Sequence, residues 1–464
     1  MKAKTTLVLL GVFAALLAVV LYFDSKGEKK SAAEEKTKAL VDIAEDDLRK
    51  IEIARPDETL ALERDEAGAW RLTSPLAAAA DEYEAKALAG ALAGLRLERV
   101  VEKEVEDPAA YGLPGTEVRL WAKGMDAPVK VHIGMENPLD KSLFAKREDD
   151  PRLVLLAATV RPQLDKKVLD LRQKDIFKFA VSDVRKIRVR AKDVAWEAAR
   201  TESGWALTSP VAALAAKTKV DSLLDALSGL RAKDFAAEDK DAGALEKFGL
   251  AKPEYEVALS LPAASQEIVF TLHKEGEAQY ATTSLATKVV AFEGTVLTDL
   301  DRKVEELREK KVADFYAWDA HSVLVKRDGA EIAAVKVKAG DAETWYLDAA
   351  AKEEADRVKL EDFVRKVEGL EAAAFVDAPG PLGAYGLDPG TEVRVKTRDF
   401  QDKEKEVVLF IGREDAAKKQ VAVKAAGLDY LFLVDSGFLA DLPKAKADWK
   451  AAATAPPEGQ GDKK

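Results

Sequence analysis

One seven-residue phrase occurs twice, with five of its seven residues unchanged, in this chain of 464 residues. "AWRLTSP", residues 69–75, returns as "GWALTSP", residues 204–210, 135 positions later. Leu88, which follows the first phrase, has its counterpart in Leu223 at the same distance. Self-similarity at a fixed period is the signature of a tandem array of one structural unit. The repeat therefore constrains the fold more strongly than the overall composition does.

Further markers extend the repeat to three copies. Apolar residues spaced four and three apart form the stripe of an amphipathic helix in each copy. They are Leu88, Leu92 and Leu95, then Leu223, Leu227 and Leu230, then Phe363, Val367 and Leu370. A later marker reads "YGLPGTEVRL" from 111, "FGLAKPEYEVAL" from 248 and "YGLDPGTEVRV" from 385. In that frame "TWYLDAA", residues 344–350, is a third tryptophan phrase, so we predict three copies, numbered 1 to 3 in chain order.

Each copy is predicted to combine strands and helices. Alternating apolar and polar residues predict strands. In copy 1 they lie within 50–54, 59–64, 69–73, 117–123, 129–134, 142–147 and 152–157. An amphipathic helix is expected after the tryptophan phrase with Asp81 as its N-cap, and a second helix near 159–174. The repeated unit is therefore α+β.

Residues 5–23 predict a membrane anchor. These 19 residues carry no charge, and a helix of that length spans about 28 Å, close to the thickness of a bilayer's hydrocarbon core. A cleaved signal peptide is the alternative, but its apolar core is shorter and ends at a small-x-small site. This run ends in "LYF" before Asp24, and the first small-x-small candidate, "SAA" at 31–33, lies well beyond it. We therefore expect an uncleaved anchor, and since lysines flank it on both sides, their count does not decide its orientation.

Charge and residue counts exclude several classes of function. A net charge of −11 argues against a nucleic-acid partner, because nucleic acids recruit clustered Lys and Arg. The absence of cysteine excludes disulfides and thiolate chemistry. His132, His273 and His321 do not fall at equivalent places in the copies, and residues 238–250 miss the spacing of a calcium loop, so we expect a solvated loop there. We predict no catalytic, cofactor-binding or metal-binding residue.

The repeated tryptophans allow two interpretations. Each stands two residues before a leucine on a predicted strand, so the two side chains share a face; the tryptophans are Trp70, Trp205 and Trp345. One interpretation is an exposed aromatic platform for a sugar or peptide. The other is a core strand, which we favour because buried aromatic side chains contribute most to core energetics.

The order of these phrases resembles the domain-of-unknown-function family 4340. The resemblance rests on the apolar span, "WxLTSP" before a helix, "YGL" before a strand, "VHIG" at 131–134 or "LFIG" at 409–412, and "LRxK" before a new strand. It covers about residues 45 to 449, although copy 3 lacks the Ser-Pro and carries Pro443 where the other copies continue their last helix. The resemblance implies a bacterial envelope protein, with a scaffolding or accessory role beside ABC transporter components that resemble gliding-motility systems. It implies no catalytic residue.

The predicted fold class is α+β, as three tandem copies of a mixed strand and helix unit of about 135 residues, preceded by one N-terminal transmembrane helix. The expected boundaries are an anchor at 1–24, a charged linker at 25–44, copies at 45–180, 181–316 and 317–449, and a disordered tail at 450–464. We expect a single-pass protein of the inner (cytoplasmic) membrane, with its C-terminal bulk in the periplasm or otherwise outside the cytoplasm. We expect a non-enzymatic role without a cofactor, in which the protein binds an envelope protein partner. The alternative is a binding module for an envelope glycan or peptide.

Overall fold

The structure is a computed structural model that describes residues 38–262, 264–339 and 342–451. The predicted anchor at 5–23 and most of the predicted tail lie outside these residues. Among the described residues, no helix has the length and apolar character needed to cross a membrane. The chain forms two compact units that meet in sequence between Lys174 and Asp175. The first unit contains copy 1, and the second contains copies 2 and 3.

Within the described residues, copy 1 consists of a nine-stranded antiparallel sheet covered by one long helix. The strands are β1 Leu48–Ala54, β2 Thr59–Arg64, β3 Trp70–Ser74, β4 Ala78–Ala79, β5 Leu97–Glu102, β6 Thr116–Ala122, β7 Val129–Glu136, β8 Leu143–Arg147 and β9 Leu153–Leu156. Their order is β4-β3-β2-β1-β6-β7-β8-β9-β5, so two meanders meet where β1 pairs with β6. The long helix α1, Glu82–Ala93, connects the two edge strands β4 and β5. Two short helices follow, α2 Arg161–Leu164 and α3 Val168–Leu171.

Copies 2 and 3 repeat this topology. The helices of copy 2 are α4 Lys217–Ser228, α5 Ala242–Lys247, α6 Val296–Leu300 and α7 Val304–Leu307, and the long helix of copy 3 is α8 Arg357–Glu368. The strands of copy 2 are β10 Lys186–Ala191, β11 Val194–Arg200, β12 Trp205–Ser209, β13 Ala213–Ala215, β14 Ala232–Ala237, β15 Tyr255–Ser260, β16 Ile268–Glu275, β17 Ala278–Thr283 and β18 Val289–Phe292. Those of copy 3 are β19 Ala320–Arg327, β20 Ala330–Ala339, β21 Ala342–Asp348, β22 Glu353–Glu354, β23 Ala374–Val376, β24 Thr391–Arg398, β25 Glu404–Asp415, β26 Gln420–Ala425 and β27 Leu431–Asp435. Their sheet orders match that of copy 1 strand for strand, which confirms three tandem copies of one unit.

The long helices bury the apolar stripes that the sequence predicted. In α1 the carboxylate of Asp81 accepts a hydrogen bond of 3.3 Å from the Glu84 N–H, as expected of an N-cap. Leu88, Leu92 and Leu95 are fully buried against the sheet. Burial of each leucine contributes about 1.5–3 kcal/mol. The stripe therefore holds each helix on one face of its sheet.

Two sequence predictions fail in detail. The second helix expected near 159–174 is divided into α2 and α3, because Lys167 between them has an extended backbone. The solvated loop expected at 238–250 contains the helix α5, which begins where the Asp241 carboxylate accepts a hydrogen bond of 2.7 Å from Ala244. Asp241, one of the residues that gave this segment its partial likeness to a calcium loop, is therefore a helix N-cap.

In each copy the C-terminal segment is hydrogen-bonded to the residue before the long helix. The carbonyls of Leu171, Leu307 and Trp449 accept hydrogen bonds of 2.8, 2.8 and 2.7 Å from the main chain that precedes α1, α4 and α8. Trp449 thus replaces a leucine at the end of copy 3, where its buried ring packs 5.2 Å from Phe363. At the other end of the chain, Leu40 is buried in the core of copy 1, so the packing of copy 1 begins before residue 45.

A buried arginine joins copies 2 and 3 inside the second unit. Arg308, which follows α7, is 3% exposed. Its guanidinium carbon lies 3.7 Å from the ring centre of Phe375 and 4.7 Å from that of Tyr430, and it forms an ion pair with Asp377. The Leu214 N–H also donates to the Tyr430 hydroxyl at 3.4 Å. Copies 2 and 3 therefore form one packed body.

Candidate functional site

The structure buries all three repeated tryptophans. Trp70, Trp205 and Trp345 are only 3%, 2% and 2% exposed, and each belongs to the main hydrophobic cluster of its copy. The core interpretation of the tryptophan phrase is confirmed. A ligand platform made of these three rings is wrong, because the rings are almost entirely buried.

A basic side chain stands opposite each of these tryptophans on the neighbouring strand. The register pairs Arg64 with Trp70, Arg200 with Trp205 and Lys336 with Trp345. The cationic groups lie 4.8, 4.3 and 5.1 Å from the ring centres. This distance is typical of a cation–π contact. We call each pair the tryptophan bracket of its copy.

In copy 2 hydrogen bonds close the bracket. Arg200 donates to the Val181 carbonyl at 2.6 Å and to the Val184 carbonyl at 2.8 Å. The Trp205 indole N–H donates to Asp221 on α4 at 2.8 Å. Burial raises the pKa of Asp221, but the hydrogen bonds from Lys217 and Trp205 outweigh burial, and the net shift is downward. Copy 1 has the equivalent contact, from Arg64 to the Glu45 carbonyl at 3.2 Å.

In copy 3 the bracket borders a cavity. Lysine replaces arginine at position 336, and its ammonium lies 3.8 Å from the Glu343 carboxylate. The hairpin β20–β21 also extends beyond the bracket, from the pair Lys336–Trp345 to the pair Ala339–Ala342. The cavity measures about 390 Å³ and is lined by Ala317, Trp318, Lys336, Glu343, Trp345, Arg357, Glu361, Arg365 and Glu368.

Two exposed aromatic side chains stand beside this cavity. Trp318 is 70% exposed and Tyr316 is 58% exposed. Their rings are stacked, with centres 4.5 Å apart and planes at 10°. Trp318 is the middle residue of the short turn before the first strand of copy 3. The equivalent residue is Ser182 in copy 2 and Asp46 in copy 1. The signal that sequence reasoning missed is therefore an aromatic residue at a repeat position where the other copies are polar.

The Tyr-Gly-Leu marker proves to be structural. Gly112 has a φ of +74°, which few residues other than glycine adopt. The main chain beside it also touches β7 so closely that a Cβ on Gly134 would stand 2.1 Å from the Tyr111 carbonyl oxygen. The "YGL" and "VHIG" phrases are therefore two sides of one close backbone contact.

The three histidines lie in different copies. His132 lies 3.8 Å from Glu117. The His321 ring contacts the Lys396 carbonyl at 2.9 Å and lies 3.7 Å from Glu404, and burial lowers the pKa of His321. In the part of the chain that the structure describes, no three His, Asp or Glu side chains are placed to hold a metal ion.

A larger groove lies on copy 2. It measures about 800 Å³, and its apolar lining includes Phe177, Phe179, Leu261, Ile268 and Leu285. Phe177 and Phe179 both contact the buried ring of Phe270, with ring centres 6.1 and 6.3 Å apart. Leu285 at the rim is 63% exposed. The groove therefore has a floor fixed to the core and an exposed apolar rim.

Comparison with known proteins identifies a family without a known activity. A family model described as "Domain of unknown function (DUF4340)" matches the chain three times, at residues 70–243, 205–388 and 345–460. Each match begins at one of the bracket tryptophans. No curated protein and no solved structure shows a significant match.

Proposed function

The chain belongs to the DUF4340 family of domains of unknown function. Since the family name gives no activity, we propose a function from the surface features of this chain. The protein is a non-enzymatic scaffolding or accessory protein of the bacterial envelope. Residues 5–23 anchor it in the inner membrane, with the three copies outside the cytoplasm. A protein partner docks on it, and components of an ABC transporter are the candidate partner.

The apolar groove on copy 2 carries this proposal. Exposed, contiguous apolar surface on a folded protein commonly marks a site of protein–protein contact. Phe177 and Phe179 are held against the core, so docking there requires little ordering of the groove itself. Leu285 at the rim offers a side chain that a partner would bury.

The joined copies 2 and 3 add support from their rigidity. Arg308 lies between Phe375 and Tyr430, and its charge is paired with Asp377. Domains that share little interface move relative to each other by default. A scaffold holds bound groups at fixed positions, and the packed junction between these copies suits that role.

Crosslinking in native membranes tests the partner. The full chain, tagged at its C-terminus, is purified after crosslinking as wild type, as Leu285→Asp and as Leu139→Asp. Leu139 is 89% exposed on copy 1 and provides the matched control outside the groove. We expect the wild type and Leu139→Asp to recover an envelope membrane protein, and Leu285→Asp to fail to recover it. Recovery of no envelope protein, or equal recovery with Leu285→Asp, would contradict the proposal.

Two simpler measurements test the anchor. Deletion of residues 1–24 should move the protein from the membrane fraction to the soluble fraction. A reporter fused after Lys464 that is active only in the periplasm should be active. Activity of a reporter that works only in the cytoplasm would reverse the proposed orientation.

The second candidate function is a binding module for an envelope glycan or peptide. The bracket tryptophans do not support it, since they are buried. The exposed pair Tyr316 and Trp318 beside a cavity favours it instead.

A further inference from the structure

We propose that the cavity beside Trp318 on copy 3 binds an uncharged saccharide, with one sugar ring placed against the indole. The scaffolding function above does not require this site, and the site does not require the scaffolding function. The inference rests on three features of copy 3, namely the aromatic pair, the charges that line the cavity, and the way the cavity is formed.

The aromatic pair presents a flat apolar face to solvent. Tyr316 stacks on Trp318 with nearly parallel planes, so it supports one face of the indole. Trp318 remains 70% exposed and also lines the cavity. Fixed aromatic rings supply large contact area at little cost in conformational entropy. The C–H face of a pyranose ring is the apolar surface that such a ring complements.

The polar lining favours a ligand without net charge. Three basic and three acidic side chains line the cavity: Lys336, Arg357, Arg365, Glu343, Glu361 and Glu368. A phosphate, a carboxylate or a cationic ligand would each meet three side chains of like charge together with three of opposite charge, so the lining favours neither sign of charge. A sugar hydroxyl both donates and accepts hydrogen bonds, so it satisfies either kind of neighbour.

The local arrangement of these charges leaves both kinds of group within reach of a ligand. Arg357 donates to Glu361 at 2.8 Å along α8, and both side chains remain partly exposed. Lys336 and Glu343 lie 3.8 Å apart, which is too long for a direct hydrogen bond. Hydroxyl groups placed at these pairs gain charge-assisted hydrogen bonds.

The residues around the tryptophan differ between copies 2 and 3. In copy 2 Arg200 reaches the Val181 carbonyl, and Asp221 holds the indole N–H of Trp205. In copy 3 the bracket has Lys336 and a longer hairpin, and a cavity of about 390 Å³ lies beside it. This volume lies within the range of small-molecule sites, roughly 300–1,000 Å³.

Titration with defined oligosaccharides tests the site. The probes are cellotetraose and tetra-N-acetylchitotetraose, whose β-linked pyranose rings expose flat C–H faces. The full chain is purified in a detergent that has no sugar headgroup, and binding is followed by calorimetry and by tryptophan fluorescence. We expect saturable binding of at least one probe below about 1 mM, with a change in Trp318 emission.

Three variants make the test specific. Trp318→Ser carries the residue found in copy 2 and should weaken binding at least about tenfold, with an unchanged melting temperature because the side chain is exposed. Lys336→Arg keeps the charge but places a longer, branched group at the cavity wall, and it should weaken binding to a similar extent. Ser182→Trp places the same ring on copy 2, where Arg200 is hydrogen-bonded to the main chain of the same turn, and should leave binding at the wild-type level.

Several outcomes would overturn the inference. They are the absence of binding by both probes up to about 10 mM, and equal binding by wild type and Trp318→Ser. A third is Trp318-dependent binding of a random heptapeptide pool without binding of either sugar, which would assign the cavity to a peptide. Loss of partner capture by Leu285→Asp is a separate readout, so this inference and the scaffolding proposal fail independently.

Discussion

Copies 2 and 3 place the same tryptophan at the same point of the same sheet but use its surroundings differently. In copy 2, Arg200 and Asp221 enclose Trp205 with hydrogen bonds to the main chain and to the indole. In copy 3, Lys336 stands over Trp345 and a cavity opens beside it. The comparison shows that the same buried tryptophan is compatible with a hydrogen-bonded arginine in copy 2 and with a lysine that borders a cavity in copy 3.

The largest expected effect on stability comes from removing the buried tryptophan that the two copies share. Trp205→Ala and Trp345→Ala should each lower the free energy of unfolding by about 3–5 kcal/mol, because each removes a buried indole from a core. Trp205→Ala should cost about 1 kcal/mol more, since it also removes the hydrogen bond to Asp221. Urea denaturation measures both, with the exposed Trp318→Ala as the control expected within about 0.5 kcal/mol of wild type. A wild-type urea midpoint for Trp345→Ala would mean that the core role is wrong in copy 3.

The next largest effect on stability is expected at the residues that end the two copies. Arg308 and Lys450 occupy equivalent bridges, to Ala215 and to Ala355, but only Arg308 is buried, between Phe375 and Tyr430. Arg308→Ala should cost about 2–3 kcal/mol, since it removes two cation–π contacts and an ion pair at a buried position. Lys450→Ala should change stability by less than about 0.5 kcal/mol. Calorimetry should also show two transitions for the second unit of Arg308→Ala, and a single unshifted transition would contradict the packed junction.

Exchanging the bracket residues tests the contrast directly. Arg200→Lys gives copy 2 the residue of copy 3 and should cost about 1–2 kcal/mol, because the hydrogen bonds to the Val181 and Val184 carbonyls are lost. Lys336→Arg gives copy 3 the residue of copy 2 and should be neutral or slightly stabilising. Thermal denaturation of both variants measures the difference. Equal shifts in the same direction would show that the two brackets do not differ as described.

The smallest effect is a dependence on pH. The pKa of Asp221 is lowered in the folded state, so its ionised form contributes stability at pH values above the ordinary aspartate pKa of about 3.9, and this contribution is lost as the pH falls. Asp221→Asn should therefore be about 1 kcal/mol less stable than wild type at pH 7, with a smaller gap below about pH 4. Glu293→Gln, at a side chain 71% exposed, is the control. A gap that stays constant with pH would contradict the role of the ionised carboxylate.

Much of the fold was predictable because it depends on local periodicity. Each of the seven strand segments predicted for copy 1 overlaps a strand, with differences of one residue at some ends, since alternation along a strand is visible in the residues themselves. The edge strands β4 and β5 were not predicted, because they are short or mostly exposed and their pairing partners are distant in the sequence. The break between α2 and α3 depends on the backbone at Lys167, where the apolar pattern continues without interruption.

The candidate site was not predictable for a different reason. Trp318 is one aromatic residue in the short phrase "YAWDA", and its exposure depends on the turn that precedes β19. Its neighbours Glu343 and Arg357 come from a hairpin and a helix that meet only after folding. No spacing in the sequence brings such residues together.

The sequence alone determined that this protein contains three copies of one α+β unit, because the period and the apolar stripes are properties of residue order. It also determined that Trp70, Trp205 and Trp345 are equivalent. Only the tertiary structure decided that these rings are buried and that Trp318 is exposed, because burial depends on what packs against a side chain from distant segments. It likewise decided that the lysine of copy 3 borders a cavity, while the arginine of copy 2 is hydrogen-bonded to the main chain.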